Sequence, residues 1–277
     1  MISVQEAISR LRADPKFAQL IHDSYLDGDA LACAERFASS AEFEQVQELL
    51  GGRILGADIL DLGAGTGIAS IAFVRAGAAC VFALEPDLSD VTGCAVIRRI
   101  TAGLPVYVLS AVGEAIPLAE HTVDVVYARQ VLHHTRDLPR VLRECARVLR
   151  PGGVFLACRE HVADNAQQLK AFLASHPVHR LAGGEHAFPL RSYIAAIQAA
   201  GLRLEKIIGP WDSVINAFPA VRSNTELQRF ARTKLEQKFG RLGVFLAAIP
   251  VAETVVWAWL KRPTPGRMYS FLASKPC

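Results

Sequence analysis

Two carboxylates and three glycines carry the chemistry most plainly. Asp61 lies at the end of the apolar run Ile59–Leu62, and Gly63, Gly65 and Gly67 follow at alternate positions before an apolar helical pattern begins at Ile68. Glycine takes positive φ freely, and its missing side chain lets a ligand approach bare backbone. An acid at the mouth of such a turn disfavours phosphate and favours a ligand carrying an ammonium group. A second acid, Glu85, closes the run Cys80–Leu84, 18 residues beyond Gly67. In doubly wound folds an acid there accepts hydrogen bonds from ribose hydroxyls, and a charge-assisted bond of that kind contributes about 1.5–3 kcal/mol. Strand, glycine turn, helix, strand and acid in this order describe a pocket for an adenosine-bearing ligand.

At these residues the chain resembles the class I S-adenosylmethionine-dependent methyltransferases. Asp61-Leu-Gly-Ala-Gly-Thr-Gly67 is similar to their first motif and Leu84-Glu85-Pro86-Asp87 to their acidic second motif. Glu114-Ala-Ile-Pro-Leu118, Val123-Asp-Val-Val-Tyr127 and Arg147-Val-Leu-Arg-Pro-Gly-Gly153 match later motifs in order and spacing, so the likeness covers about residues 50–160. The resemblance implies S-adenosylmethionine as cofactor, held by Asp61, Gly63, Ala64, Gly65, Gly67, Glu85, Pro86, Gly113, Glu114, Ala115, Ala128 and Arg129. Ala128 and Arg129 would act through backbone groups beside the methionine moiety. Many members carry an aspartate two residues before Glu114; Val112 stands there in this chain. Adenine is then left to backbone around Gly113 and Glu114, or to the Glu114 side chain. His134 aligns with a histidine that acts on the acceptor in the related phosphoethanolamine methyltransferases and is the expected catalytic residue. The aspartate those enzymes use is Gln130 here.

Methyl transfer from a sulfonium depends chiefly on alignment, which can supply about 7–11 kcal/mol. A base is required only when the acceptor is protonated at neutral pH or is a weak nucleophile such as a hydroxyl. Tyr25, Gln130, Arg159, His161 and Arg180 are the expected contacts of a small-molecule acceptor, the arginines suiting an anionic group. His176, His179, Glu185 and His186 suggest metal on composition, yet their spacing matches no dedicated ligand pattern and no metal is expected. Two other classes compete. A nicotinamide-dependent oxidoreductase shares the turn and the ribose acid, but position 68 is Ile where that fingerprint needs glycine. A non-catalytic binding subunit on the same fold would have no need of intact cofactor motifs.

The elements that must position these residues follow from periodicity. Apolar runs near 57–62, 79–84, 105–110, 123–128 and 153–158 read as strands, alternating with helices near 67–76, 88–102 (broken by Gly93) and 137–149. A helix at 190–200 and strands at 202–208 and 268–274 complete the pattern. The expected fold is α/β: a Rossmann-like, doubly wound, mostly parallel seven-stranded sheet with helices on both faces. Residues 1–52 read as an N-terminal helical cap, 53–208 as the cofactor-binding core, 209–267 as a helical insertion and 268–277 as the last core strand.

Composition sets the remaining bounds. At 51% hydrophobic and 21% charged the chain is globular, and a net charge of +3 is too small to imply nucleic acid. Its six cysteines are scattered without a Cys-x-x-Cys pair, which suits a reducing compartment. With no signal-peptide pattern at the start, a cytoplasmic location is the expectation. The apolar run 243–260 contains Pro250 and Glu253, so a cap helix, a homodimer contact or a peripheral membrane contact fits it better than a membrane span.

Overall fold

The structure, a computed structural model, describes residues 2–175, 177–182, 186–240, 250–260, 262 and 267–277. The chain begins with helices α1 (Val4–Ala13), α2 (Ala18–Asp23), α3 (Ala30–Ala38) and α4 (Ala41–Leu50). Ser3, Asp29 and Ser40 cap α1, α3 and α4, each accepting a backbone N–H that the first turn leaves without a partner. Phe37, Phe43, Val46 and Leu50 of α3 and α4 pack with Phe73 and Tyr127 as one buried layer against the sheet.

The alternating middle folds as β1 (Asp58–Leu62), α5 (Ile68–Arg75), β2 (Cys80–Leu84), α6 (Cys94–Ile100), β3 (Val106–Leu109), β4 (Val123–Arg129), α7 (Leu138–Val148) and β5 (Leu149–Val162). Then come α8 (Ala166–Ser175), α9 (Pro177–Ala182), α10 (Leu190–Ala199), β6 (Arg203–Ile208), α11 (Val214–Ala217), α12 (Asn224–Phe239), α13 (Pro250–Leu260) and β7 (Arg267–Ser274). The seven strands lie in the order β3-β2-β1-β4-β5-β7-β6, with β7 antiparallel to both neighbours and the other pairs parallel. Ile59, Leu60 and Leu62 are wholly buried because helices cover both faces of β1. α7 packs Val141, Leu142 and Cys145 on one face, opposite the layer made by α3, α4 and α5. From β1 the chain winds outward to β2, and later returns to β4 on β1's other side. A crevice opens at the carboxyl ends where that reversal occurs.

Two expectations need correction. The helix expected over 88–102 with a break at Gly93 forms only beyond that break, over Cys94–Ile100. Asp87 holds the preceding residues in a loop, accepting hydrogen bonds from Ser89 N and Thr92 Oγ1, and a Cβ on Gly93 would lie 2.3 Å from the Asp87 carbonyl oxygen. β5 does not stop at 158 but continues to Val162, since β7 pairs with it from Val154 to Val162. Arg159, Glu160 and His161 therefore belong to the strand rather than to a loop after it. Of the apolar run 243–260, residues 243–249 lie outside the described residues; the rest forms α13, which exposes Val251, Val255 and Trp259. No described helix is long and apolar enough to cross a membrane.

Candidate functional site

The glycine turn leaves β1 with Gly63, Gly65 and Gly67 all at positive φ, between 58° and 81°. A Cβ built on Gly65 would meet nothing within 4 Å, so the backbone there faces open space. Asp61 lies beside it, 2% exposed, its Oδ2 accepting from Ser70 Oγ at 2.6 Å. Burial pushes the Asp61 carboxyl up to about 6 despite that hydrogen bond. Glu85 reaches under the turn from the tip of β2. Its Oε2 accepts from Gly65 N at 2.8 Å and its Oε1 from Asp87 N at 2.9 Å, while burial raises its carboxyl to about 7.

Two cavities meet over this turn. The first, about 360 Å³, is lined by Asp61, the glycine turn, Arg129 and Gln130 at the end of β4, and His133, His134 and His161. Apolar residues of the N-terminal helices close it: Val4, Ile8 and Leu11 of α1, Leu20 and Ile21 of α2, and Leu26 beyond them. α1 is fastened across the crevice, with Gln5 Nε2 donating to Asp87 Oδ1 at 2.6 Å. The second cavity, about 590 Å³, runs past Leu84, Pro86, Val112, Gly113, Glu114 and Val131. Gly63 and His134 line both cavities, so the two are lobes of one cleft.

The residues expected from sequence are largely gathered here. Asp61, Gly63, Ala64, Gly65, Arg129, Gln130, Tyr25, His134 and His161 line the first lobe, and Pro86, Gly113 and Glu114 the second. Gly67 stands at the start of α5 behind the turn, and Ala128 is fully buried, leaving its backbone toward the neighbouring strands. Ala115 and Glu114 line a separate opening of about 540 Å³ beside α7. Tyr25 is 3% exposed, its ring stacked 6.1 Å from that of Phe218.

Arg159 and Arg180 are not brought in. The expectation that Arg159 contacts the acceptor is corrected by a bulge: the β5–β7 register shifts between Ala157 and Glu160, and Arg159 takes φ +60°. Its Nη1 donates to the carbonyls of Ile215 and Phe218, on α11 and just beyond it, at 2.5 and 3.1 Å. Arg180 is exposed on α9. His176 and Glu185 lie outside the described residues, and among those described no group of His, Cys, Asp and Glu is placed to hold a metal ion.

Sequence reasoning missed one buried acid, Glu42, and placed a second, Glu160, at the crevice without giving it a role. Glu42 of α4 pairs with Arg129, Oε1 to Nε at 2.7 Å and Oε2 to Nη2 at 3.0 Å. Glu160 of β5 meets His133 Nδ1 at 2.7 Å and accepts from the backbone N–H groups of Val131 and His133, both at 3.2 Å. Neither acid stands in a motif. The one signal for Glu160 was its place in Arg159-Glu160-His161, directly after an apolar run.

Residues 60–157 match the model of the methyltransferase domain family. This segment is a class I S-adenosylmethionine-dependent methyltransferase domain. S-adenosylmethionine is the cofactor of such domains, and Gly65's open approach between two buried acids fits an adenosine-bearing cation. The ubiquinone biosynthesis O-methyltransferase of Rhizobium rhizogenes is 30% identical over 133 residues, 48% of this chain and 53% of that protein. The dimethylglycine N-methyltransferase of Parasynechococcus marenigrum is 30% identical over 177 residues, 63% of this chain and 61% of that protein. The chain thus spans about half the length of the first curated relatives it matches. A solved geranyl diphosphate methyltransferase in complex with SAM matches 96% of this chain and 94% of its own, with TM-score 0.59 at 15% identity, a likeness of fold. The seven-stranded sheet extends through β6 and β7, beyond the segment that the family model matches.

Proposed function

We propose that this chain transfers a methyl group from S-adenosylmethionine to a hydroxyl of a small molecule with a largely apolar body. The observation that carries the reading is the open backbone at Gly65, set between the buried carboxylates of Asp61 and Glu85 and continuous with a cavity closed by apolar helix faces. When bound, the cofactor supplies a methyl group already activated by a sulfonium charge. The protein's part is to bind, align and exclude water.

In this reading Glu85 accepts hydrogen bonds from ribose hydroxyls, and Asp61 faces the ammonium end. Gly63, Ala64 and Gly65 give backbone approach, and Gly67 starts the helix behind them. Pro86, Gly113, Glu114 and Ala115 border adenine, while the main chain of Ala128 and Arg129 borders the methionine part. His134, in both lobes, meets the acceptor together with Tyr25, Gln130 and His161. Arg159 supports the wall through Ile215 and Phe218, and Arg180 stands outside.

The apolar roof formed by Ile8, Leu11, Leu20 and Ile21 favours an acceptor with hydrocarbon or aromatic surface over a small charged amine. The match to ubiquinone biosynthesis O-methyltransferases points the same way. Helices of 1–52 and the insertion 209–267 would select the acceptor around the core 53–208, which 268–277 completes. The exposed Val251, Val255 and Trp259 face of α13 would carry the peripheral membrane or homodimer contact. Isothermal titration calorimetry tests the site: S-adenosylhomocysteine binds and NADH does not. Binding of NADH alone would replace the reading with an oxidoreductase.

A further inference from the structure

Glu160 touches none of the residues proposed to hold the cofactor's adenosine, yet it is wholly buried beside the first lobe. Two strained backbones bring it there. Arg159, at the β5 bulge, has φ +60°; Gln130, on the chain leaving β4, has φ +57° and donates its N–H to Cys158 O at 2.9 Å. Non-glycine residues hold such conformations only where the surroundings impose them, and these recur at functional sites. Here they turn Glu160 and His133 toward each other across the strand ends. The Glu160 carboxylate is anchored by the N–H groups of Val131 and His133 and meets His133 Nδ1 at 2.7 Å. His133 in turn lines the cavity beside Asp61 and the glycine turn.

We propose that His133 takes the proton of the acceptor hydroxyl during methyl transfer, and that Glu160 is the positioning residue that fixes its tautomer and stabilises the imidazolium. The inference rests on the cleft being the methyl-transfer site. His133 Nδ1 lies 2.7 Å from the carboxylate and a longer 3.4 Å from the His161 N–H; with Nδ1–H held by the nearer carboxylate, proton uptake falls to Nε2. An oxygen lone pair forms the bond to the methyl carbon, and the carbon–sulfur bonding pair passes to sulfur. The O–H proton moves to Nε2, leaving a neutral methyl ether, a neutral thioether and an imidazolium against Glu160. The positive charge that began on sulfur ends on His133.

The other titratable or charged groups described around this cavity are Tyr25, Asp61, Arg129, His134 and His161. Arg129 is paired with Glu42, and Asp61 is hydrogen-bonded to Ser70. Among the described residues Glu160 is the carboxylate that reaches the His133 ring. Burial raises the Glu160 carboxyl to about 7 against the pull of its backbone N–H partners.

The test uses the full chain with saturating S-adenosylmethionine and an alkyl-substituted catechol as acceptor probe, with dimethylglycine as the competing amine. Wild type turns over the catechol. His133→Gln lowers kcat about 100-fold or more. Glu160→Gln lowers it about tenfold with the donor KM unchanged and moves the acid limb of the pH–rate profile to lower pH; Glu160→Asp restores part of both. In protein labelled with nitrogen-15 histidine and loaded with S-adenosylhomocysteine, neutral His133 carries its proton on Nδ1. Its titration midpoint falls by about one unit in Glu160→Gln. Equal kcat with superimposable profiles, a proton on Nε2, an unmoved midpoint, or turnover of dimethylglycine in place of the catechol would overturn the assignment. Loss of S-adenosylhomocysteine binding by wild type would instead remove the methyltransferase reading beneath it.

Discussion

The Glu42 carboxylate on α4 grips the Arg129 guanidinium at the tip of β4 through bonds of 2.7 and 3.0 Å, with side chains 0% and 11% exposed. Arg129 lines the first lobe, where, in the proposed reading, a bare cation would repel a sulfonium. Pairing neutralises it locally. The guanidinium also lies 5.4 Å from the ring centroids of both Tyr25 and Phe37, so one ion pair locks the N-terminal helices to the sheet.

Glu42→Gln should therefore destabilise the fold strongly. Leaving a buried guanidinium without its carboxylate costs about 3–5 kcal/mol, a fall of about 10 °C in thermal midpoint for a chain of this size. Burial opposes ionisation of Glu42, but Arg129 and Arg159 overcome it and hold its carboxyl below the ordinary glutamate range. That stabilisation is present above the unfolded value and is lost as pH falls through the lower folded one. The gap between wild type and variant, followed by circular dichroism, should close in acid.

Asp61→Asn removes a carboxylate from the cleft lining and Glu85→Gln one from directly behind the glycine turn, both while keeping the shape of the site. Each should weaken S-adenosylhomocysteine binding about 10- to 100-fold, the equivalent of one charge-assisted hydrogen bond. Calorimetry returning wild-type affinity for both would refute the cofactor assignment.

Cofactor affinity should rise with pH. Burial lifts Asp61 to about 6 and Glu85 to about 7, so both are largely protonated in mild acid. The ligand's ammonium and ribose hydroxyls favour the ionised carboxylates, hence affinity is full only above about pH 8 and falls by about two orders of magnitude by pH 5.5. The ligand-free protein should respond with the opposite sign. Its raised carboxyls contribute stability that is complete below the unfolded values near 4 and is lost as pH rises through 6 and 7. Paired thermal melts with and without S-adenosylhomocysteine across that range would show both slopes.

Gly65→Ala and Gly93→Ala should fail differently. At Gly65 the new methyl enters open space, with only the backbone penalty of φ +58°, about 1–2 kcal/mol. Folding survives with a midpoint lowered by a few degrees, while S-adenosylhomocysteine affinity drops more than about tenfold because the methyl stands where the ligand must pass. At Gly93 a Cβ 2.3 Å from the Asp87 carbonyl forces the β2–α6 loop to move. The larger loss there is in thermal stability.

The glycine turn and its two acids, proposed to hold the nucleotide, were legible because their geometry is local. Asp61, Gly63, Gly65 and Glu85 sit in strand–turn–strand segments whose backbone course follows from residue type, and they come together once parallel strands are assumed. Helix ends were less legible. The stretch from Leu88 has a helical pattern, but Asp87 offers its backbone a competing set of hydrogen bonds. The reach of β5 was hidden altogether, since its last residues are held in strand by β7, more than a hundred positions later.

From its sequence alone this chain's sheet, its switch point and the kind of cofactor were determined, because apolar alternation and glycine turns act between near neighbours. Only the tertiary structure decided which acids stand behind the reacting side of the cleft. Glu42 and Glu160 have no motif and no periodic signature; each is defined by a partner 87 or 27 positions away. Charges can be buried there only because folding delivers the opposite charge, or a ring nitrogen and backbone N–H groups, to the same place. That delivery depends on strand order and one bulge, which no short window of residues encodes.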